Sequence, residues 1–122
     1  MRTIFYNFLF LALIFLSSCY KDNFKKLHPY IESCDTISSI NYTVRIAPII
    51  NNYCISCHTP SFGGTILDNY LSVKTVAQSG KLYSSVIWDG NTQQMPQGSL
   101  SKIPDCELII IRKWIALGMP EN

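Results

Sequence analysis

Cys54, Cys57 and His58 stand within five positions, in the stretch "NNYCISCHTP". Two thiols and an imidazole at this spacing can chelate a metal ion, cycle as a dithiol and disulfide, or hold a haem covalently. Structural zinc takes four donors, commonly as two close pairs. The other donors, Cys34, Cys106 and His28, are scattered along the chain and make a poor second pair. A reactive dithiol profits from a helix N-terminus, which lowers the thiol pKa; here a helical pattern leads into the motif, so the cysteines come at a helix end. Cys-x-x-Cys-His is the spacing of covalent haem attachment. Two thiols add across two vinyl groups, the two intervening residues let one helical turn span them, and His58 follows as the proximal iron ligand. Shuffling this composition rarely yields the pattern, which makes chance a weak explanation.

The elements around the motif are helical by pattern. In "TVRIAPIINNYC" the apolar positions 46, 49, 50 and 53 form one face. Thr43 is the expected cap, and Pro48 requires the helix to start around Val44 to Ile46. "TPSFGGT" reads as a loop. Asp68 then caps a short helix, "NYLSVKTVAQ", with Leu71 and Val76 pointing inward. Gly80 separates it from "KLYSSVIW", and "DGNTQQMPQGS" is irregular. The last helix, "DCELIIIRKWIALG", has Asp105 as cap, Leu108, Ile111, Trp114 and Ile115 on one face, and Gly118 as its stop. The fold class is all-α, with short helices between loops too long for a tidy bundle of this size. Such a core needs filling by something other than protein side chains.

The 122 residues allow one domain at most. Residues 1–18 have Arg2, then a short apolar run from Phe8 to Leu16, then two serines, which is the layout of an export signal. The run is too short for a transmembrane helix, which needs about 20 apolar residues. "LSSC" resembles the lipobox of bacterial lipoproteins, in which Cys19 is lipidated and becomes the mature N-terminus; several acyl chains give stable anchoring. Residues 19–33 read as a flexible tether broken by His28-Pro29. The folded domain is expected over 34–122. Arg2 is the only charged residue of the first 18, so the remainder carries nine basic and eight acidic side chains. This balance gives no reason to expect nucleic acid as a partner.

Of the five cysteines, lipidation uses Cys19 and the motif uses Cys54 and Cys57. Cys34 and Cys106 remain, both expected outside the cytoplasm, where disulfides persist. A bridge between them gives every cysteine a use.

From about Cys34 onward the sequence resembles the small monohaem c-type cytochromes, in the compact class I-like helical form carried by bacterial lipoproteins. The resemblance rests on "APIINNYCISCH", "GGTILDNY", "GKLYSSVI", "MPQG" and "LSKIPDCELIIIRKWIALGMP". It implies a compact cytochrome c fold, short helices wrapped around one covalent haem c, in which the helix before the motif crosses the C-terminal helix. It also implies a methionine ligand from the loop before the last helix, which maps onto Met95, and apolar haem contacts at Leu67, Tyr70 and Leu71. Read without the resemblance, Met95 is an isolated apolar residue in a polar loop, and a soft thioether suits haem iron. Met119 sits past the Gly118 stop as a helix-end packing residue, and His28 lies in the tether.

The expected function is single-electron transfer by a carrier that is not an enzyme. It would be lipid-anchored through Cys19 to a bacterial membrane, facing the periplasm or cell surface. It would work beside redox proteins as a monomer or as a module docked on a larger redox complex. The alternative is a haem enzyme, or a gas or peroxide sensor, with an open sixth iron position. Gly63-Gly64 reads equally as a turn or as a close approach of backbone to the haem edge.

Overall fold

A computed structural model describes residues 34–122. The signal segment 1–18, Cys19, the tether 19–33 and His28 lie outside the described residues. Within 34–122 the regular structure is helical, with no strand. A π-helical turn, Tyr42–Ile46, runs directly into α1, Ala47–Tyr53; α2 spans Tyr70–Gln78, α3 Lys81–Ile87 and α4 Asp105–Ala116.

The first helix starts earlier than the sequence suggests. Asn41, not Thr43, is the cap: its backbone is extended and its Oδ1 accepts from the Val44 amide at 2.9 Å. The wide turn then lets the Ala47 amide reach the Tyr42 carbonyl. Pro48, which has no amide proton and whose ring crowds the preceding turn of a regular α-helix, follows at the second position of α1. The expected apolar face is the one buried, with Ile46, Ile49 and Ile50 in the core and Tyr53 half-buried beside them.

At α2 the cap is one residue from expectation. Asn69, not Asp68, accepts from the Ser72 amide at 3.0 Å. From that start Val73 and Ala77, four apart, face the core, Val76 is half-buried, and Leu71 is 69% exposed. Leu71 is therefore not an inward residue. Leu82 and Val86 of α3 are buried by the same i, i+4 spacing. In α4, Pro104 precedes the first turn and Asp105 is inside it, with no side-chain cap. Leu108, Ile110, Ile111 and Trp114 are buried.

The end of α4 organises the opposite side of the core. Met119 N–H returns to the Trp114 carbonyl and Gly118 N–H to that of Ile115, with Gly118 in the left-handed region at φ 82. This is the Schellman arrangement, in which glycine avoids the Cβ penalty. The turn aims the tail back at the molecule. The Pro120 carbonyl accepts from Trp114 Nε1 and from the Tyr42 amide, both at 2.9 Å, and the Glu121 carbonyl accepts from the Thr43 amide at 3.1 Å. The Tyr70 hydroxyl donates to the Met119 carbonyl at 2.8 Å. The tail thus joins the π-helical turn, α2 and α4.

The N-terminal segment is held at two points. Cys34 and Cys106, 72 positions apart in sequence, form a disulfide with Cα atoms 5.5 Å apart. Asp35 accepts from the Ile37 and Ser38 amides and meets the Arg45 guanidinium at 3.0 Å. Ser38, by side chain and amide, and then Ile37 and Arg45, hold the Asp35 carboxyl well below the usual carboxylate range.

Replacing both Cys34 and Cys106 by alanine is expected to cost about 4 kcal/mol, the chain-entropy value for a loop of this length. Urea unfolding with and without reductant measures it. A depressed carboxyl pKa stabilises the folded state above the unfolded pKa of about 3.9 and loses that effect as pH falls. Asp35→Ala is therefore expected to lower the urea midpoint at pH 7, with the gap to wild type narrowing as pH is lowered below about 4.

Candidate haem-binding cleft

α1 ends at Cys54, the first residue beyond its last turn. The Cys54 amide donates to the Ile50 carbonyl at 2.9 Å, and the Cys54 carbonyl accepts from the Cys57 and His58 amides at 3.1 and 3.0 Å. One tight turn therefore places both thiols and the imidazole together. Cys54 is half-buried against the core and Cys57 is exposed. Burial pushes the Cys54 thiol up to about 11. An attacking thiol needs the opposite shift, so Cys54 is poorly suited to that role. Two of the remaining zinc donors, Cys34 and Cys106, are bonded to each other. Among the described residues no three His, Cys, Asp or Glu side chains gather as a metal-binding group.

His58 Nδ1 lies 2.7 Å from the Thr65 carbonyl. A carbonyl only accepts, so Nδ1 carries a proton, and in the neutral ring the lone pair is on Nε2. That is the tautomer a metal-ligating histidine needs, oriented by a partner on its other nitrogen. The turn 59–66 brings Thr65 back, and the Leu67 amide donates to the His58 carbonyl at 2.9 Å. Gly63 and Gly64 both have positive φ, 71 and 80. A Cβ at either would meet no protein atom within 4 Å, so within the protein they are required by backbone conformation, not by space.

Beside the motif is a cleft with two lobes, one of about 360 Å³ and one of about 440 Å³. Cys54, His58, Thr65, Val86 and Met95 line both. The first lobe is completed by apolar Leu67, Val76 and Leu82, the second by Cys57, Tyr53, Ile103 and the Gly63-Gly64 turn. Each lobe falls in the size range of cofactor sites.

Met95 reaches the cleft from the loop between α3 and α4, and both its backbone groups are held. Its amide donates to the Ser85 carbonyl at 3.0 Å, and its carbonyl accepts from Trp88 Nε1 at 2.7 Å. Trp88 itself sits in the left-handed region at φ 60, which turns the chain out of α3. A side-chain chain of hydrogen bonds, Ser84 to Asp89 at 2.6 Å and Ser84 to Thr92 at 3.0 Å, ties the loop to α3.

The structure thus brings Cys54, Cys57, His58, Met95 and Leu67 together. Tyr70 and Leu71 are not on the lining of either lobe. The Tyr70 ring packs edge-on against Tyr42, 5.3 Å between centroids, with its hydroxyl on Met119, and Leu71 faces outward. Thr65, Trp88 and Ser85 act through backbone contacts or across a loop, and no spacing pattern marks them. Leu82 and Val86 carried a signal, an i, i+4 apolar pair in "KLYSSVI".

The donor set fits a covalently held haem. It has two thiols for vinyl groups, an imidazole whose Nδ1 is held by the Thr65 carbonyl, and a thioether on the same cleft, which is walled by aliphatic side chains. Comparison with protein-family models, with curated proteins and with solved structures finds no match to this chain.

In haem-free protein, a maleimide is expected to label Cys57 at least about tenfold faster than Cys54, because burial withholds the Cys54 thiolate. Mass mapping of a labelling time course reads the two rates; equal rates would contradict the buried position of Cys54.

Proposed function

We propose that the chain is a membrane-anchored c-type cytochrome that transfers single electrons through one covalent haem c. The observation that carries this reading is the shared cleft, where the His58 imidazole and the Met95 thioether stand on one lining beside the two motif cysteines. The compact cytochrome c fold is part of the proposal. It is supported by α4 packing on the π-helical turn that leads α1 into the motif, and by α3 lying between α2 and α4 in the chain of contacts.

Cys54 and Cys57 would hold the group by addition. Each thiol would add to a vinyl group, its S–H bond giving way to one S–C and one C–H bond, with no external oxidant. His58 is pre-set for the iron by the Thr65 carbonyl, which fixes both tautomer and ring orientation. Met95 would be the second ligand, and Ser85 and Trp88 hold its backbone in place. A haem ligated by histidine and methionine supplies reversible Fe(II)/Fe(III) chemistry, with methionine raising the potential. Leu67, Val76, Leu82 and Val86 exclude water from the cleft, which lowers the local dielectric. Side chains held in this way by the fold would need little rearrangement between charge states, as a carrier requires.

Export and anchoring rest on the arginine, apolar run and "LSSC" of residues 1–19. An acylated Cys19 would hold the domain at a bacterial membrane, facing the periplasm or cell surface, near redox protein partners. The domain beyond Cys34 carries six basic and six acidic side chains, which gives neither strong steering nor a nucleic-acid surface.

Protein matured in an exporting host and then heat-denatured is expected to retain haem absorbance on the chain; a chain that releases the chromophore would overturn covalent attachment. Met95→Ala is expected to turn a six-coordinate, low-spin spectrum into one that binds CO rapidly. An unchanged mutant spectrum removes Met95 from the iron. Rapid CO binding by the wild type favours the open-site enzyme or sensor.

A further inference from the structure

The last turn of α3 meets the Met95 loop through two neighbouring residues, in two different ways. Ser85 acts through its backbone. The last carbonyls of a helix have no partner inside it, and that of Ser85 takes the Met95 amide at 3.0 Å. Ser84 acts through its side chain. A serine hydroxyl has one proton to give and lone pairs with which to accept. The proton goes to Asp89 Oδ1 at 2.6 Å, because a carboxylate only accepts. The 3.0 Å contact with Thr92 Oγ1 is therefore donated by Thr92. Asp89 is pinned in turn: its Oδ1 also accepts from the Asn91 amide at 2.9 Å, across Gly90 at φ 86. The Ser84 hydroxyl and then the Asn91 amide hold the Asp89 carboxyl below the usual carboxylate range, so it is an anion at neutral pH.

Two points of the loop are thus fastened to one hydroxyl. Asp89 is the second residue beyond α3, and Thr92 stands three residues before Met95. Ser84 and Asp89 are on the lining of neither lobe, whereas Thr92 is on the first. The fastening therefore reaches the cleft from outside it. Gln93 and Gln94, between Thr92 and Met95, are exposed, and three residues of chain span at most about 10 Å. With Thr92 fastened, Met95 has only that slack in which to leave the cleft. We propose that Ser84 is a positioning residue for Met95, whose hydroxyl keeps the loop closed over the sixth iron position and so keeps the site a carrier instead of an open one. This rests on the reading of Met95 as a ligand to a haem held by Cys54, Cys57 and His58. Of the two bonds, the one to the Asp89 anion is the stronger. Losing the Ser84 hydroxyl removes both together. The backbone bonds of Met95 to Ser85 and Trp88 do not use that hydroxyl.

The test uses the ferrous holoprotein and the rate at which it binds CO. CO reaches a methionine-ligated iron only in the fraction of molecules whose methionine has left, so the rate reads that fraction. The variants are Ser84→Ala, Ser84→Thr, Asp89→Ala and Met95→Ala. Thr75→Ala is the control; it loses a hydroxyl bonded to the Leu71 carbonyl on α2, outside the cleft lining. Ser84→Ala is expected to bind CO about tenfold faster than wild type, the effect of losing two hydrogen bonds of which one is to a charge. Asp89→Ala, which keeps the contact between Ser84 and Thr92, should show a smaller increase. Ser84→Thr keeps the hydroxyl and should follow the wild type, as should Thr75→Ala. A Ser84→Ala rate equal to wild type, with Met95→Ala fast, overturns the clamp and leaves the methionine ligand standing. A lowered urea midpoint with an unchanged CO rate overturns it too, since that marks a bond that serves stability alone. Ser84→Thr as fast as Ser84→Ala also counts against it, because the hydroxyl is then not the acting group. Wild type as fast as Met95→Ala takes methionine off the iron, and the clamp falls with it. A denatured chain without haem overturns the haem reading as well.

Discussion

The hydrogen bond from the Trp114 indole to the Pro120 carbonyl fixes the geometry on which the site depends. Trp114 is fully buried, and a buried indole N–H needs a partner. The partner is a residue of its own chain six positions on, which α4 can supply only if it stops and turns back. Gly118 permits that turn, and the returned tail presents its carbonyls to Tyr42 and Thr43. The π-helical turn is thereby set against α4, α1 follows from it without a break, and the Cys54–His58 turn is delivered at a defined place. One buried donor that needs a partner thus constrains a motif at the far end of α1.

Much of this framework is legible in the residues. The helical face of 46, 49, 50 and 53, the Gly118 stop and the buried ridge of α4 follow from period and punctuation. The caps do not. At both α1 and α2 two cap-competent residues stand close together, and the choice depends on which one adopts an extended backbone before the helix. Asn41 and Asn69 do so, at φ −129 and −150. The inward face of α2 follows from spacing instead: Val73 and Ala77, four apart, share it, and Leu71 does not. A similar limit applies at the site. The types and spacing of Cys54, Cys57 and His58 are visible, but the Thr65 carbonyl that orients His58, and the Ser85 carbonyl and Trp88 indole that hold Met95, are brought across loops. Backbone acceptors have no sequence signature.

The cleft also explains why the loops are long. The segment from Trp88 to Pro104 has few apolar residues of its own, yet its course is fixed by contacts to α3: Trp88 and Ser85 on Met95, and Ser84 with Asp89 and Thr92. A loop tethered in this way can hold a side chain in place without a helix, and it leaves space between itself and α3. The aliphatic walls of that space come from helices whose remaining faces are already packed in the core, so the cleft and the core share the same short elements.

The disulfide has a topological effect beyond its stability. Cys54, Cys57, His58 and Met95 all lie between Cys34 and Cys106, so every proposed ligand is inside one covalently closed ring. A mechanical load applied between the chain upstream of Cys34 and the C-terminus crosses directly to α4 at Cys106, and the ring is left out of the load path. A single backbone cut in the ring likewise releases no fragment. For a domain pulled from one end by an anchor, the electron-carrying part would sit on an unstressed side branch of the chain.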